Sequence, residues 1–226
     1  MSQQFIPTKL EDWARSDTYH NSFLLEQDEA LDSALRNSNA NGLPQIAVSA
    51  AQGKFLKLLA SSIGAKRILE VGTLGGYSTI WLARALPEGG KLVTLELAEK
   101  HAAVAKENIS NAGLSGKVEV TTGKALDSLV AMHPDIPFDL IFIDADKPSI
   151  IHYFAEAKRL VRKGGVIIVD NVVRYGLVGD PSYSDDNVEG VRTLLKALKG
   201  DQDVDATTIA TTGEKGYDGF LYAVKR

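Results

Sequence analysis

KRILEVGTLGGYSTIWLARALPEGGKLVTLE, residues 66–96, carries a strand, a glycine turn, a helix and a second strand in that order. Arg67–Val71 (RILEV) is an apolar run of strand length, Ser78–Leu86 has helical length, and Lys91–Leu95 (KLVTL) returns to strand character. Between strand and helix, Gly72, Gly75 and Gly76 let the backbone approach a ligand closely, and the helix start offers free N–H groups. The spacing is G-x-x-G-G. It is neither the dinucleotide fingerprint G-x-G-x-x-G nor a P-loop, since no Gly-Lys-Ser/Thr follows. A cofactor without a phosphate grip fits this turn better. Glu96 ends the second strand, where an acidic side chain can hold both hydroxyls of a ribose, and Glu70 is placed to face a cationic group of the same ligand. The glycines alone could simply close a tight βα connection. Glu96 tips the reading toward a nucleoside.

The alternation continues outward. Lys117–Thr121, Phe138–Ile143 and Gly165–Val169 read as strands, and Glu99–Ala112, Lys124–Ala131 and Ile150–Val161 as helices. Such alternation specifies a parallel sheet covered on both faces. Asp205–Ala210 and Gly219–Val224, around a turn at Gly213–Gly216, read as an antiparallel hairpin added at the sheet edge. The expected fold is therefore α/β, with a mostly parallel seven-stranded sheet. Ser182–Asn187 reads as a polar loop. Upstream, the chain to about Asn41 reads as helical, with Phe23, Leu24, Leu25, Leu31 and Leu35 at helical spacing. A break covers Asn39–Pro44, and a second helix over Gln52–Ile63 ends at Gly64. No repeat or low-complexity linker intervenes. The expected organisation is one domain over 1–226, with a helical extension (1–64) before a Rossmann-like core (65–226).

Composition narrows the function classes. The 226 residues are 44% apolar and 24% charged, a globular balance, and the net charge of −4 invites neither nucleic acid nor an anionic membrane. The absence of cysteine removes disulfides, zinc-thiolate sites and thiol nucleophiles, which fits a reducing, cytoplasmic setting. No apolar run reaches bilayer length, and the N-terminus lacks the apolar core of a secretory signal. His20, His101, His133 and His152 show no metal spacing and read as surface or packing residues, and Trp13 and Trp81 read as packing residues.

The chemistry concentrates in Ile143-Asp144-Ala145-Asp146-Lys147 and Val169-Asp170-Asn171. Both follow strongly apolar strands, so Asp144 and Asp170 fall at carboxyl strand ends, where open α/β sheets bind ligands. Carboxylates on neighbouring strands, ~5 Å apart, repel unless a cation or proton lies between them. Asn171 adds a carbonyl oxygen, and a set of oxygen ligands suits a hard divalent ion, Mg²⁺ by default. Either aspartate alone could merely cap a helix or a turn. Lys147 could be a surface pair with Asp146, and Ser78 a helix cap.

Leu69–Ser78 (LEVGTLGGYS), Glu96, Gly123–Leu126 (GKAL), the DADK and DN motifs and Ala47–Leu56 (AVSAAQGKFL) together resemble class I S-adenosylmethionine-dependent methyltransferases. More narrowly, they are similar to the cation-dependent O-methyltransferases of the catechol and caffeoyl-CoA type, from about Val48 to the C-terminus. The resemblance implies that S-adenosylmethionine is held by Val48, Glu70, Gly72, Thr73, Gly76, Ser78, Glu96, Ala125 and Asp144. Ser78 would hold the cofactor carboxylate. It implies a divalent cation on Asp144, Asp170 and Asn171, with Mg²⁺ first and Mn²⁺, Co²⁺ or Ca²⁺ compatible. Lys147 would be the general base, with Asp144 beside it in catalysis, and the acceptor a vicinal-diol aromatic of catechol, flavonoid or hydroxycinnamate type.

One departure bears on the acceptor: plant members of that family typically carry an aromatic residue after DN, usually tryptophan, whereas this chain has Val172-Val173-Arg174-Tyr175-Gly176. The N-terminal helices are expected to cover the site or to form the contact of a homodimer. Two other readings stand beside this one. Methylation of a tRNA nucleoside hydroxyl sits poorly with the acidic total, and a non-catalytic cofactor binder has no need of DADK and DN.

Overall fold

The computed structural model describes residues 6–226, so the first five residues of the expected helical extension lie outside the described residues. Five parallel strands form the body of the sheet: β1 (Arg67–Val71), β2 (Lys91–Glu96), β3 (Val118–Thr122), β4 (Phe138–Ile143) and β5 (Val161–Val169). β6 (Val204–Gly213) and β7 (Gly216–Lys225) complete the order β3-β2-β1-β4-β5-β7-β6, with β7 antiparallel to both neighbours. The sheet is seven-stranded, mostly parallel, with the hairpin at one edge as expected. The last strand lies inside, and β6 is the edge.

The central strands are apolar in runs because both their faces are covered. Ile68, Leu140, Phe142 and Ile168 point to one side, against α3 (Ala50–Ser62), α4 (Tyr77–Ala83) and α5 (Glu99–Asn111). Leu69, Val71, Ile141, Ile143, Ile167 and Val169 point to the other, against α6 (Ala125–Ala131), α7 (Ile150–Leu160) and α8 (Asp186–Leu198). Each such side chain, fully buried, contributes roughly 1.5–3 kcal/mol.

Three expectations need correction. The first helical run is two helices, α1 (Leu10–Leu24) and α2 (Glu29–Ala40), separated where Asp28 leaves the helix to cap α2 through the Leu31 amide. Its apolar stripe is split accordingly: Leu31 is buried in the core, while Phe23 and Leu24 are exposed on α1, which lies along β6 and β7. The strand expected at Gly165–Val169 begins at Val161, directly after α7, with a register irregularity opposite Phe138–Leu140. Finally, the polar stretch Ser182–Asn187 is loop only as far as Asp185, and its last two residues already belong to α8. Asp185 caps α8 by accepting from the Val188 amide.

The strand order reverses between β1 and β4, since β2 flanks β1 on one side and β4 on the other. Hydrogen bonding continues past the strand ends there: Gly72 N donates to Leu95 O (2.9 Å), Asp144 N to Val71 O (2.8 Å) and Asp170 N to Ile143 O (2.9 Å). The first residues after β1, β4 and β5 are thus held in one row along the crevice at the switch point.

Candidate functional site

The glycine turn is shaped by close backbone approach. Gly72 has φ 99°, and a Cβ there would stand 2.0 Å from the Asp144 carbonyl oxygen, so the turn and the acidic strand end touch through glycine. Gly76, at φ 80°, starts α4 in the left-handed region.

Glu96 laces this turn to β2. One carboxylate oxygen accepts from the amides of Thr73 (3.2 Å) and Leu74 (2.8 Å), the other from Ala98 (3.0 Å). His101 Nδ1 lies 3.4 Å from Glu96, so this histidine, read from the sequence as a surface or packing residue, belongs to the rim of the turn. Ala125 opens α6 nearby, because Gly123 N donates to Glu96 O (2.8 Å). Val48 is buried in the core beside α3, where Ser49 caps the helix through the Gln52 amide (3.2 Å). Gly72, Thr73, Gly76, Glu96 and Ala125 therefore gather around one turn.

Glu70 does not face an open cleft, which corrects its expected position toward a cationic group. It is fully enclosed and accepts hydrogen bonds from the hydroxyls of Ser78 (2.6 Å), Thr79 and Thr94 (2.7 Å). Burial pushes its carboxyl up to about 7, against the opposing pull of those three hydroxyls. Ser78 commits its hydroxyl proton to Glu70, which leaves its backbone N–H as the donor for a carboxylate.

At the acidic strand ends the expected residues do meet. Asp144 and Asp170 follow the paired residues Ile143 and Val169. About a quarter of the Asp144 side chain (28%) reaches solvent, although protein surrounds it on most sides. Burial holds the Asp144 carboxyl above the usual carboxylate range, opposed by the Lys147 ammonium. Asp170 is pushed up to about 7, first by burial and then by the charge of Asp144, and the Gln52 side chain reaches it from α3. Asp170 thus carries a charge against both burial and the neighbouring Asp144, a cost that a positive charge between the two carboxyls would relieve. Their donor chemistry, two carboxylates with the Asn171 amide, fits a hard divalent cation. Among the described residues no group of three or more His, Cys, Asp or Glu side chains is arranged for a metal, so a neutral ligand must complete any site here.

Lys147 is 4% exposed, with Nζ 2.9 Å from the Ala145 carbonyl oxygen and 3.6 Å from Asp144 Oδ1. Pairing with Asp146 is ruled out by geometry, because Asp146 accepts from Ser149 N (3.1 Å) and the Tyr153 hydroxyl (2.6 Å) instead. Asn171 sits at φ 55° and donates from Nδ2 to Asp218 Oδ2 (3.2 Å). Asp218 and Gln52 were missed from the sequence. Asp218 stands beside a glycine in a strand, and nothing local announces that β7 runs beside β5.

A sheet in this order, with a glycine turn after β1 and an acidic end to β2, defines the class I S-adenosylmethionine-dependent methyltransferases. The O-methyltransferase family model matches residues 21–220, and the chain belongs to that family. It is 50% identical over 210 residues to a catechol O-methyltransferase of Mycobacterium tuberculosis, covering 93% of this chain and 94% of the relative. A catechol O-methyltransferase of Niastella koreensis is 49% identical over 210 residues, covering 92% and 95%. Among solved structures, the O-methyltransferase from Bacillus cereus in complex with SAH matches with a TM-score of 0.93 and 49% identity, covering 96% of this chain and 100% of that one.

Proposed function

We propose that this S-adenosylmethionine-dependent O-methyltransferase methylates one hydroxyl of a vicinal-diol aromatic small molecule and requires a divalent cation, Mg²⁺ by default. The observation that carries the reading is the pair of raised carboxyls, Asp144 and Asp170, on neighbouring strand ends beside the buried Lys147 and one backbone contact from the cofactor turn. The two relatives called catechol O-methyltransferase support a catechol-type acceptor.

In this reading Asp144, Asp170 and the Asn171 carbonyl oxygen hold the cation. When bound, the ion stabilises the acceptor oxygen as a phenolate, whose free pKa is ~10. Lys147 in its neutral amine form takes the hydroxyl proton at Nζ, becoming the ammonium, and Asp144 and the Ala145 carbonyl fix the position of that nitrogen. The Gly72–Gly76 turn and Glu96 hold the methyl donor, so that transfer is governed by placement. The chain acts as one methyltransferase domain in the cytoplasm; among the described residues no helix is long and apolar enough to cross a membrane. The exposed Tyr19, Phe23 and Leu24 of α1, next to the exposed edge strand β6, form the face of a homodimer.

The test is methyl transfer from S-adenosylmethionine to a panel of catechol, hydroxycinnamate and flavonoid diols, with total RNA alongside, with and without EDTA. Turnover of a diol that is lost on chelation and in Asp144→Ala is expected. Methylation indifferent to both treatments overturns the cation, and methylation of RNA alone overturns the acceptor.

A further inference from the structure

We propose that Asp218 is a positioning residue that sets the amide of Asn171, presenting its carbonyl oxygen to the cation and its NH₂ to β7. The inference rests on the divalent-cation reading of Asp144, Asp170 and Asn171. It concerns a side chain from the far end of the sequence, 47 residues from Asn171, which the antiparallel pairing brings alongside. Val169 pairs with Leu221 at the end of β5, and beyond it Val172 N donates to Gly219 O (2.9 Å), so the backbone after Asn171 stays tied to β7.

The Asp218 carboxylate has two distinct sides. Oδ1 accepts three backbone amides: Val173 (3.2 Å), Arg174 (2.8 Å) and its own neighbour Gly219 (2.9 Å). Oδ2 accepts from Asn171 Nδ2. An ionised carboxylate can only accept, so the end of the Asn171 amide that meets it must be NH₂. The carbonyl oxygen is then directed away from Asp218 and is free to act as a ligand. The same carboxylate offsets backbone strain. Asn171 (φ 55°), Arg174 (φ 51°) and Tyr175 (φ 59°) all lie in the left-handed region, which is unfavourable for Arg and Tyr, and charge-assisted bonds to this segment hold it there. The charge of Asp218 is also felt at Asp144, where it adds to the negative potential that favours a cation.

Asp218→Asn separates the two functions. Its carbonyl oxygen can keep the three backbone amides, which puts an NH₂ where Oδ2 was. The Asn171 amide must then rotate to accept, and its NH₂ turns toward the cation. Binding of Mn²⁺, followed by the EPR signal of the free ion in the presence of S-adenosylhomocysteine, is expected to weaken about 10–100-fold, the usual effect of removing an outer partner of a metal ligand. The double variant Asp218→Asn, Asn171→Asp offers oxygens on both sides and is expected to recover Mn²⁺ affinity. Asn171→Asp alone sets two carboxylates face to face and is expected to bind Mn²⁺ no better than wild type, despite its extra charge. Wild-type affinity in Asp218→Asn, or tighter binding in Asn171→Asp alone, overturns the role of Asp218 and leaves the cation reading standing. A wild-type protein that fails to bind Mn²⁺ overturns both.

Discussion

Lys147 and Asp144 stand on the same turn of backbone, with the ammonium nitrogen 3.6 Å from the carboxylate and 2.9 Å from the intervening Ala145 carbonyl. The lysine is almost fully enclosed, and α8 packs so closely on it that a Cβ at Gly190 would stand 2.1 Å from the Lys147 carbonyl oxygen. A side chain held this way serves the crevice and not the surface. Lys147→Met keeps the apolar stem and removes the nitrogen, so kcat should fall by about 10²–10⁴. The dissociation constant for S-adenosylhomocysteine, measured by calorimetry, should change less than threefold. Unchanged turnover would remove Lys147 from the reaction.

The raised carboxyls make a second, opposite pair of expectations. Asp170 is charged at pH 8 only against burial and the neighbouring Asp144, so the metal-free protein carries a repulsion that the proposed cation would relieve. Asp170→Asn should stabilise the metal-free protein by roughly 1–3 kcal/mol at pH 8 in urea unfolding with EDTA present. The same variant should lose activation by Mg²⁺. If it is instead less stable than wild type under EDTA, the two carboxylates are not the source of strain.

What could be read in advance follows from what is local. RILEV, FDLIFI and GVIIV were legible as parallel strands because residues buried on both faces leave unbroken apolar runs. The placement of DADK and DN at neighbouring carboxyl strand ends was legible because each directly follows one of those apolar runs. α8 was not, because its start is hidden in the polar run before Asn187, and Gly190 inside it reads as a breaker. That glycine is explained only by the approach of the Lys147 backbone. Glu70 misled for a similar reason: an acid before a glycine turn reads as facing the ligand, while the hydroxyls that enclose it come from α4 and from Thr94 on β2. Asp218 depends entirely on which strand neighbours β5, a long-range fact.

The glycine turn offers a comparison within itself. Gly72 and Gly76 share a positive φ, yet only Gly72 has backbone in the way, with Asp144 O 2.0 Å from a would-be Cβ, against 3.4 Å to Ala105 at Gly76. Gly76→Ala should therefore cost about 1–2 kcal/mol, the left-handed penalty alone. Gly72→Ala must also push β1 and β4 apart where Asp144 begins, so its cost should exceed ~3 kcal/mol and cofactor affinity should fall with it. Urea unfolding of the two variants side by side decides the matter. Equal losses would mean that the close approach of Gly72 to Asp144 is not sustained.

Glu70 supplies the pH dependence. Its carboxyl has a value of about 7 in the folded protein against 4.5 for the unperturbed group. Between those limits the folded state keeps a proton that the unfolded chain has released, so stability from this group is full below pH 4.5 and is lost as pH rises to about 7. The total change is roughly 3 kcal/mol at 1.36 kcal/mol per pKa unit. Asp144 and Asp170 slope in the same direction, so the wild-type curve alone does not isolate Glu70. Glu70→Gln does, because an amide is neutral throughout and the surrounding hydroxyls of Ser78, Thr79 and Thr94 can rotate to accept as well as donate. The difference in unfolding free energy between Glu70→Gln and wild type, taken with EDTA from pH 5 to pH 8, should shift in favour of the glutamine variant as pH rises and level off above about 7. A flat difference would place the titration elsewhere and leave Glu70 charged within its ring of hydroxyls.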